Sequence, residues 1–167
     1  MQNNYPRIYS LSTIGIKQHY NADYLFHPYR TDFSGESGSG KSMIADMIQL
    51  ILVGSSEFKS ATDGNKLRDV KGMLISNKGK SSSRGYIFLN IEVKPKNYLA
   101  IGVYIEGTSN AAEMFIIQNG YDWGDLIALN KPISNKDLII NDKVDTLKNI
   151  CEQVEFARMK SFRRKNY

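Results

Sequence analysis

The chain has 167 residues, of which 41% are hydrophobic and 23% are charged, and its formal net charge is +5. This length suits one domain with a real core, and this composition excludes a disordered, collagen-like or disulfide-stapled chain. The single cysteine, Cys151, cannot form an internal disulfide, and the longest apolar run, residues 47–53, is far below the roughly 20 residues of a membrane span. We therefore predict a cytoplasmic protein with no membrane partner.

The first third of the chain predicts a strand, an aromatic-rich segment and a helix. Residues 7–16 alternate apolar and polar side chains and include β-branched members, which is typical of a half-buried strand. Residues 19–30 carry aromatic side chains without a period, which favours a loop or a second short strand. From Ser42 to Gly54 apolar residues recur at helical spacing and predict a helix; they are Met43, Ile44, Met47, Ile48, Ile51 and Leu52.

The middle of the chain predicts polar loops and an antiparallel meander. Residues 55–83 are polar and surround one short helical piece at 67–75. Strand candidates follow, separated by turn sequences, at residues 85–94, 98–106 and 113–118. In the first of them Ile and Leu alternate with Tyr, Phe, Asn and Glu, so one face is apolar and the other is largely polar or amphipathic.

The end of the chain predicts a long basic helix over residues 143–164. We therefore divide the chain into a lobe at 1–142 and a C-terminal basic helix at 143–167. Only two acids follow residue 150, against five basic residues, which are Arg158, Lys160, Arg163, Arg164 and Lys165. Such a tail can attract the phosphate backbone of DNA, although charge-rich helices are also ordinary solvated surfaces.

A glycine-rich segment directly before the predicted helix matches a phosphate-binding pattern. Gly35 and Gly40 are separated by four residues and are followed at once by Lys41 and Ser42. Glycines let consecutive backbone N–H groups turn inward as a nest for a phosphate, and the helix adds the positive end of its dipole. The Lys41 ammonium would lie between the β- and γ-phosphates, and the Ser42 hydroxyl would ligate Mg²⁺.

The predicted cofactors are thus ATP and Mg²⁺. The predicted binding residues are Gly35, Glu36, Ser37, Gly38, Ser39, Gly40, Lys41, Ser42 and Met43.

The segment at 35–54 resembles the amino-terminal head segment of SMC-like ATPases, a family that includes the Rad50/SbcC, MukB-like and JetC-like proteins. In that family an Asp follows the Lys by five residues and precedes a small or apolar residue and Ile. Asp46, Met47 and Ile48 occupy these places, with Met47 where Ala is more usual and Ser37 where Asn is frequent. A weaker similarity extends over residues 68–74, the meander and the end of the chain.

The resemblance implies a fold class and an incomplete catalytic site. The implied fold is α/β: the N-terminal lobe of an ABC- or SMC-type P-loop NTPase head, with an antiparallel meander and a long C-terminal helix. Family members hydrolyse ATP between two heads, with an Asp-Glu strand and a signature Ser motif that lie in a carboxy-terminal lobe. Neither motif occurs in this sequence. We expect an ATPase half-site that needs the missing lobe or a second head and that acts on DNA in repair, chromosome organisation or defence.

Four further residues are candidates for nucleotide contacts. Family heads carry a glutamine that reaches Mg²⁺ and the attacking water, and Gln118 is the tentative equivalent, for catalysis and for the metal. The alternative for Gln118 is a surface amide before the turn at Asn119 and Gly120. One of Tyr24, Tyr29 and Phe33 could stack on adenine, or all three could pack in the fold.

Other polar residues favour structural roles. His19 and His27 have no Cys or acidic companion at ligand spacing, so we predict no metal besides nucleotide Mg²⁺. Asp46, one helical turn after Ser42, suits capping or pairing with another lobe better than catalysis. Arg68, Lys71 and Arg84 could meet DNA or a γ-phosphate, but single basic residues are usually solvated.

Two rival functions stay open at this point. A small self-contained P-loop kinase would need a parallel sheet, whereas residues 85–118 predict an antiparallel meander. A non-catalytic module would use nucleotide only to control docking of a protein partner through the meander or the final helix.

Overall fold

The fold is a six-stranded antiparallel sheet with one helix on one face. The computed structural model describes residues 5–61, 69–74, 76–77, 80–81, 84–107, 110–120, 125–139, 143–153 and 158–162. The strands are β1 (Arg7–Ile14), β2 (Asp23–Leu25), β3 (Ser76–Asn77), β4 (Lys80–Ser81), β5 (Arg84–Lys94), β6 (Asn97–Glu106), β7 (Ala112–Gln118) and β8 (Arg158–Phe162). The helices are α1 (Lys41–Val53) and α2 (Leu147–Gln153), with single 3-10 turns at Lys71–Met73 and Asn135–Asp137.

The sheet order is β2-β1-β5-β6-β7-β8, and β3 pairs with β4 apart from it. Every strand pair among the described residues is antiparallel. The predicted first strand, the helix after the glycine-rich segment and the three strands of the meander are therefore present. The predicted short helical piece is reduced, among the described residues, to the 3-10 turn at Lys71–Met73.

Both faces of the sheet are buried, and alternate residues of β5 divide between them. Ile87 and Leu89 pack against the apolar side of α1, in a cluster that also holds Met47 and Leu50. The neighbouring Tyr86 and Phe88 point to the opposite face, where residues from 129–139 and 143–150 cover them. The face of β5 that we expected to be largely polar or amphipathic is thus the second half of the core.

The predicted fold class is wrong. A P-loop NTPase lobe of the α/β class places a strand of a parallel sheet directly before the glycine-rich loop, and no strand lies between residues 26 and 40. This segment contains Pro28, which lacks a backbone donor, and an exposed Arg30–Asp32 ion pair of 2.8 Å between Nε and Oδ2. The segment therefore crosses the surface as a loop, and the sheet below it is built from antiparallel pairs alone.

The predicted C-terminal helix over 143–164 is also wrong. It is divided into α2, of seven residues, and the strand β8. The backbone of Arg158–Phe162 pairs with β7 from Met114↔Phe162 to Gln118↔Arg158. The free hydrogen-bonding edge of β7 and a buried position for Met159 outweigh the helical tendency of this charged segment.

Asn90 joins the sheet to the segment that covers its second face. Its amide Nδ2 donates to Ser10 Oγ and to the backbone oxygen of Ile133, both at 2.8 Å, and its Oδ1 accepts from the Ile133 N–H at 2.9 Å. Asn90 is fully buried. Because this buried amide is hydrogen-bonded to both the sheet and the segment around Ile133, it fixes the position of that segment on the second face of the sheet.

We predict that Asn90→Ala lowers the free energy of unfolding by about 2–4 kcal/mol, because it leaves the Ser10 and Ile133 groups buried without partners. The matched control is Asn97→Ala, since the Asn97 amide is exposed and bonds only the Pro95 oxygen among the contacts described. This control should stay within about 0.5 kcal/mol of the parent. Urea unfolding measures both variants, and equal losses would contradict the account.

Two tyrosines in the second core make stability depend on alkaline pH. Burial, followed by the Glu106 carboxylate, raises the pKa of Tyr104 to about 12, and burial also raises the pKa of Tyr86, whose ring lies 5.0 Å from that of Tyr104. An unfolded tyrosine ionises near pH 10. The folded state therefore keeps protons that the unfolded state releases, so stability is full below about pH 10 and falls as the pH rises toward 12.

Tyr104→Phe should reduce the loss of stability between pH 10 and pH 12, because it removes one of the protons that the folded state retains. Tyr29→Phe, at an exposed tyrosine, should keep the parent's slope. Urea unfolding at a series of pH values gives the slopes. A parental slope for Tyr104→Phe would show that this phenol is not protected in the fold.

Candidate functional site

Three glycines of the glycine-rich loop have positive φ angles. Gly35, Gly38 and Gly40 have φ angles of 155°, 84° and 93°, a region that residues with a side chain rarely adopt. Gly40 is the N-cap of α1, and its carbonyl oxygen accepts from the N–H groups of Met43 at 2.9 Å and Ile44 at 3.3 Å. The loop therefore leads directly into the positive end of the helix dipole.

The Lys41 side chain folds back over this loop. Its Nζ donates to the backbone oxygens of Gly35 at 2.6 Å and Glu36 at 2.8 Å, and it lies 3.4 Å from Ser39 Oγ. The loop from Gly35 to Ser39 is exposed. A cation and the N-terminal end of a helix thus meet at an exposed site, which is an arrangement that attracts anions.

The last two predicted binding residues differ in position. Ser42 is exposed in the first turn of α1, where its hydroxyl can reach solvent. Met43 is 1% exposed and packs in the core cluster, so its side chain anchors the helix and does not line the site.

The turn after β1 is hydrogen-bonded to the glycine-rich loop, a contact that the sequence does not predict. Gln18 Nε2 donates to the Gly38 oxygen at 2.9 Å, and His19 Nε2 lies 3.1 Å from the Gly40 oxygen. His19 is 5% exposed, and its Nδ1 lies 2.5 Å from the hydroxyl of Tyr24. These contacts join residues about twenty positions apart, so no local pattern in the sequence reveals them.

Two of the three candidate adenine-stacking residues are part of the packing. Tyr24 and Phe33 contact each other edge to face with ring centroids 5.9 Å apart, and Phe26 contacts Phe33 in the same way. Tyr29 is 61% exposed and lies beside the ring of His27. Of the three, Tyr29 alone has a largely solvent-accessible ring.

Asp46 holds the chain that follows α1. Its buried carboxylate accepts from Ser60 Oγ at 2.8 Å and from the N–H of Ala61 at 2.6 Å. Asp46 therefore does not cap α1, whose N-cap is Gly40. Its bonds attach the segment at Ser60 and Ala61 to the middle of the helix.

Gln118 is far from the glycine-rich loop. It is 3% exposed and ends β7. Thr13 bonds the backbone oxygen of His19 and so marks the end of β1 that is near the loop. Across the sheet Thr13 pairs with Ile87, Ile87 with Val103 and Val103 with Met114, so Thr13 and Met114 lie at the same level along the strands. Gln118 is four residues beyond that level and three strands across, which is about 13 Å along the strands and about 14 Å across them. The structure does not bring Gln118 to the loop.

The remaining candidates add no second site. No group of three or more His, Cys, Asp or Glu side chains suited to a metal ion occurs within the described ranges. Arg84 pairs with Glu106, at 3.2 Å between Nε and Oε1, and Lys71 lies 3.8 Å from Asp69. Arg158 and Lys160 belong to β8, whereas Arg68, Arg163, Arg164 and Lys165 lie outside the described residues.

Comparisons with known proteins leave the family open. A scan against protein-family models, a search of curated proteins and a search of solved structures each found no match. None of the described helices has the length and the apolar character that a membrane span requires.

Gly40→Ala should destabilise the protein by about 1–3 kcal/mol, because the new residue would be strained at a φ of 93° and its Cβ would lie 2.5 Å from His19 Nε2. Ser37→Ala, in the exposed part of the same loop, is the control and should change stability by less than about 0.5 kcal/mol. Thermal unfolding distinguishes the two. An unchanged midpoint for Gly40→Ala would mean that the loop and the His19 turn are not in contact.

Proposed function

We propose that the loop at Gly35–Ser42 binds the triphosphate of ATP together with Mg²⁺. We further propose that the chain is the ATP-binding part of an SMC-like ATPase that acts on DNA, in repair, chromosome organisation or defence against foreign DNA. The observation that carries the proposal is the conjunction of three left-handed glycines, an ammonium group bound to the loop and the N-terminal end of a 13-residue helix.

The charges of the site favour a phosphate as ligand. The Lys41 ammonium is bound to neutral carbonyl oxygens, and a phosphate oxygen is a stronger acceptor for a cation than a carbonyl. If a phosphate oxygen replaced these carbonyl oxygens as the acceptor, the Lys41 ammonium would move from the loop to the ligand. The exposed Ser42 hydroxyl supplies an oxygen of the type that Mg²⁺ takes next to a phosphate.

Hydrolysis is expected to be slow in this chain alone. Gln118, the tentative residue for positioning Mg²⁺ and water, lies about 20 Å from Thr13 by strand register, at the end of β7 that is farther from the loop. Without a base or a positioned water the transition state would lack most of its stabilisation. The proposal is therefore nucleotide binding, with catalysis depending on a second lobe or a second head.

The antiparallel sheet counts against the kinase, whose fold needs parallel strands. The SMC-like proposal rests on the glycine-rich loop and on the helix that follows it, and not on the sheet. An interaction module is the remaining rival. Size analysis with and without MgATP separates this module from the kinase, since the module changes its assembly when nucleotide binds.

We expect calorimetry to detect MgATP binding that Lys41→Ala weakens at least tenfold, because the variant removes the cation at the loop. Lys148→Ala, at an exposed lysine of α2, is the matched control and should bind like the parent. The same samples should turn over ATP more slowly than on the order of 1 s⁻¹. Equal affinity for parent and Lys41→Ala would refute the site, and faster turnover would refute the half-site.

A further inference from the structure

The turn that holds the glycine-rich loop is itself firmly attached to the sheet. The Gly15 N–H donates to the Tyr20 oxygen at 2.7 Å, and Gln18 adopts a left-handed φ of 66°. Thr13, which is fully buried in β1, donates its hydroxyl to the backbone oxygen of His19. His19 is therefore held in a turn that is hydrogen-bonded to the end of β1.

The hydrogen positions on His19 follow from its partners. A carbonyl oxygen can only accept, so the Nε2 that faces Gly40 must carry a hydrogen. In the neutral ring Nδ1 is then an acceptor, and it receives the Tyr24 hydroxyl. Burial raises the pKa of Tyr24, which keeps that hydroxyl protonated, and the edge contact with Phe33 fixes its ring. The Tyr24 hydroxyl thus selects the tautomer that can bind Gly40.

The two halves of the loop are held by different donors. The oxygens of Gly35 and Glu36 accept from Lys41 Nζ, a group that must leave them if it is to reach a phosphate. The oxygens of Gly38 and Gly40 accept from the turn after β1, which can stay in place. A backbone nest binds an anion with its N–H groups, so its carbonyl oxygens must be held away from the ligand.

We infer that His19, supported by Gln18, is a positioning residue that fixes the Gly38–Gly40 half of the loop in its phosphate-binding shape. This inference rests on the proposed function of the loop. It adds to that function an account of how the loop is kept ordered. The His19 ring, in the turn after β1, holds the carbonyl oxygen of Gly40, the N-cap of α1. Only the Lys41 side chain then has to move when a phosphate enters. Preorganisation of this kind raises affinity by reducing the ordering cost of binding.

The test compares His19→Leu, which removes the donor, with His19→Gln, whose Nε2 can still reach the Gly40 oxygen. His27→Leu, at the exposed histidine, is the matched control. One readout is MgATP affinity by calorimetry. The second needs no nucleotide: it is the hydrogen exchange of the Met43 and Ile44 amides, which bond the Gly40 oxygen.

We expect His19→Leu to weaken MgATP binding roughly tenfold and to speed exchange of both amides, and His19→Gln to restore most of each. His27→Leu should match the parent. Parental affinity in His19→Leu would overturn the inference. If the parent itself binds no MgATP, the proposed function fails, and hydrogen exchange alone decides the role of His19: unchanged exchange in His19→Leu overturns it.

If His19→Leu does not fold, a double variant with milder changes tests the inference. Gln18→Ala removes an exposed donor, and Tyr24→Phe keeps the ring contact with Phe33 while it removes the hydroxyl that selects the tautomer. The double variant should fold and should bind MgATP several-fold more weakly. Parental affinity in the double variant would overturn the inference.

Discussion

The pairing of β1 with β5 is the constraint on which the rest of this structure depends. It joins residues 72 to 85 positions apart, from Ile14↔Tyr86 to Arg7↔Glu92, near the centre of the sheet. One end of the pair positions the turn that carries His19. The other end holds the buried bonds from Asn90 to Ser10 and to the covering segment at Ile133. The glycine-rich loop and the two-sided core are therefore attached to the same two strands.

The site is built on this rigid base, and its chemistry comes from few groups. Helix α1 is fixed on the sheet by its apolar side, and the buried Asp46 bonds it to the segment at Ser60, so the end that faces the loop cannot shift without disturbing the core. At that end the glycines permit a backbone that other residues would strain, and Lys41 supplies a cation. In this account affinity comes from fixed backbone dipoles together with one mobile charge, which is how anion sites at helix N-termini work.

Local features could be predicted from the sequence, and long-range ones could not. The helix at Lys41–Val53, the glycine-rich loop and the strands of the meander follow from spacing within a few residues. The roles of Gln18 and His19 depend on contacts across about twenty residues, and β8 depends on the free edge of β7, so neither has a local signal. The predicted fold class is wrong because a glycine-rich loop motif does not by itself require the parallel strand that usually precedes it. The chain at 26–34 forms no such strand.

The most direct test of the central claim is a titration of isotope-labelled protein with MgATP, followed through the backbone amide signals in NMR spectra. The account predicts that the largest shifts fall on the amides from Gly38 to Met43, that they saturate, and that they disappear in Lys41→Ala. Shifts that are small, scattered over the sheet or unchanged by Lys41→Ala would contradict phosphate binding at this loop.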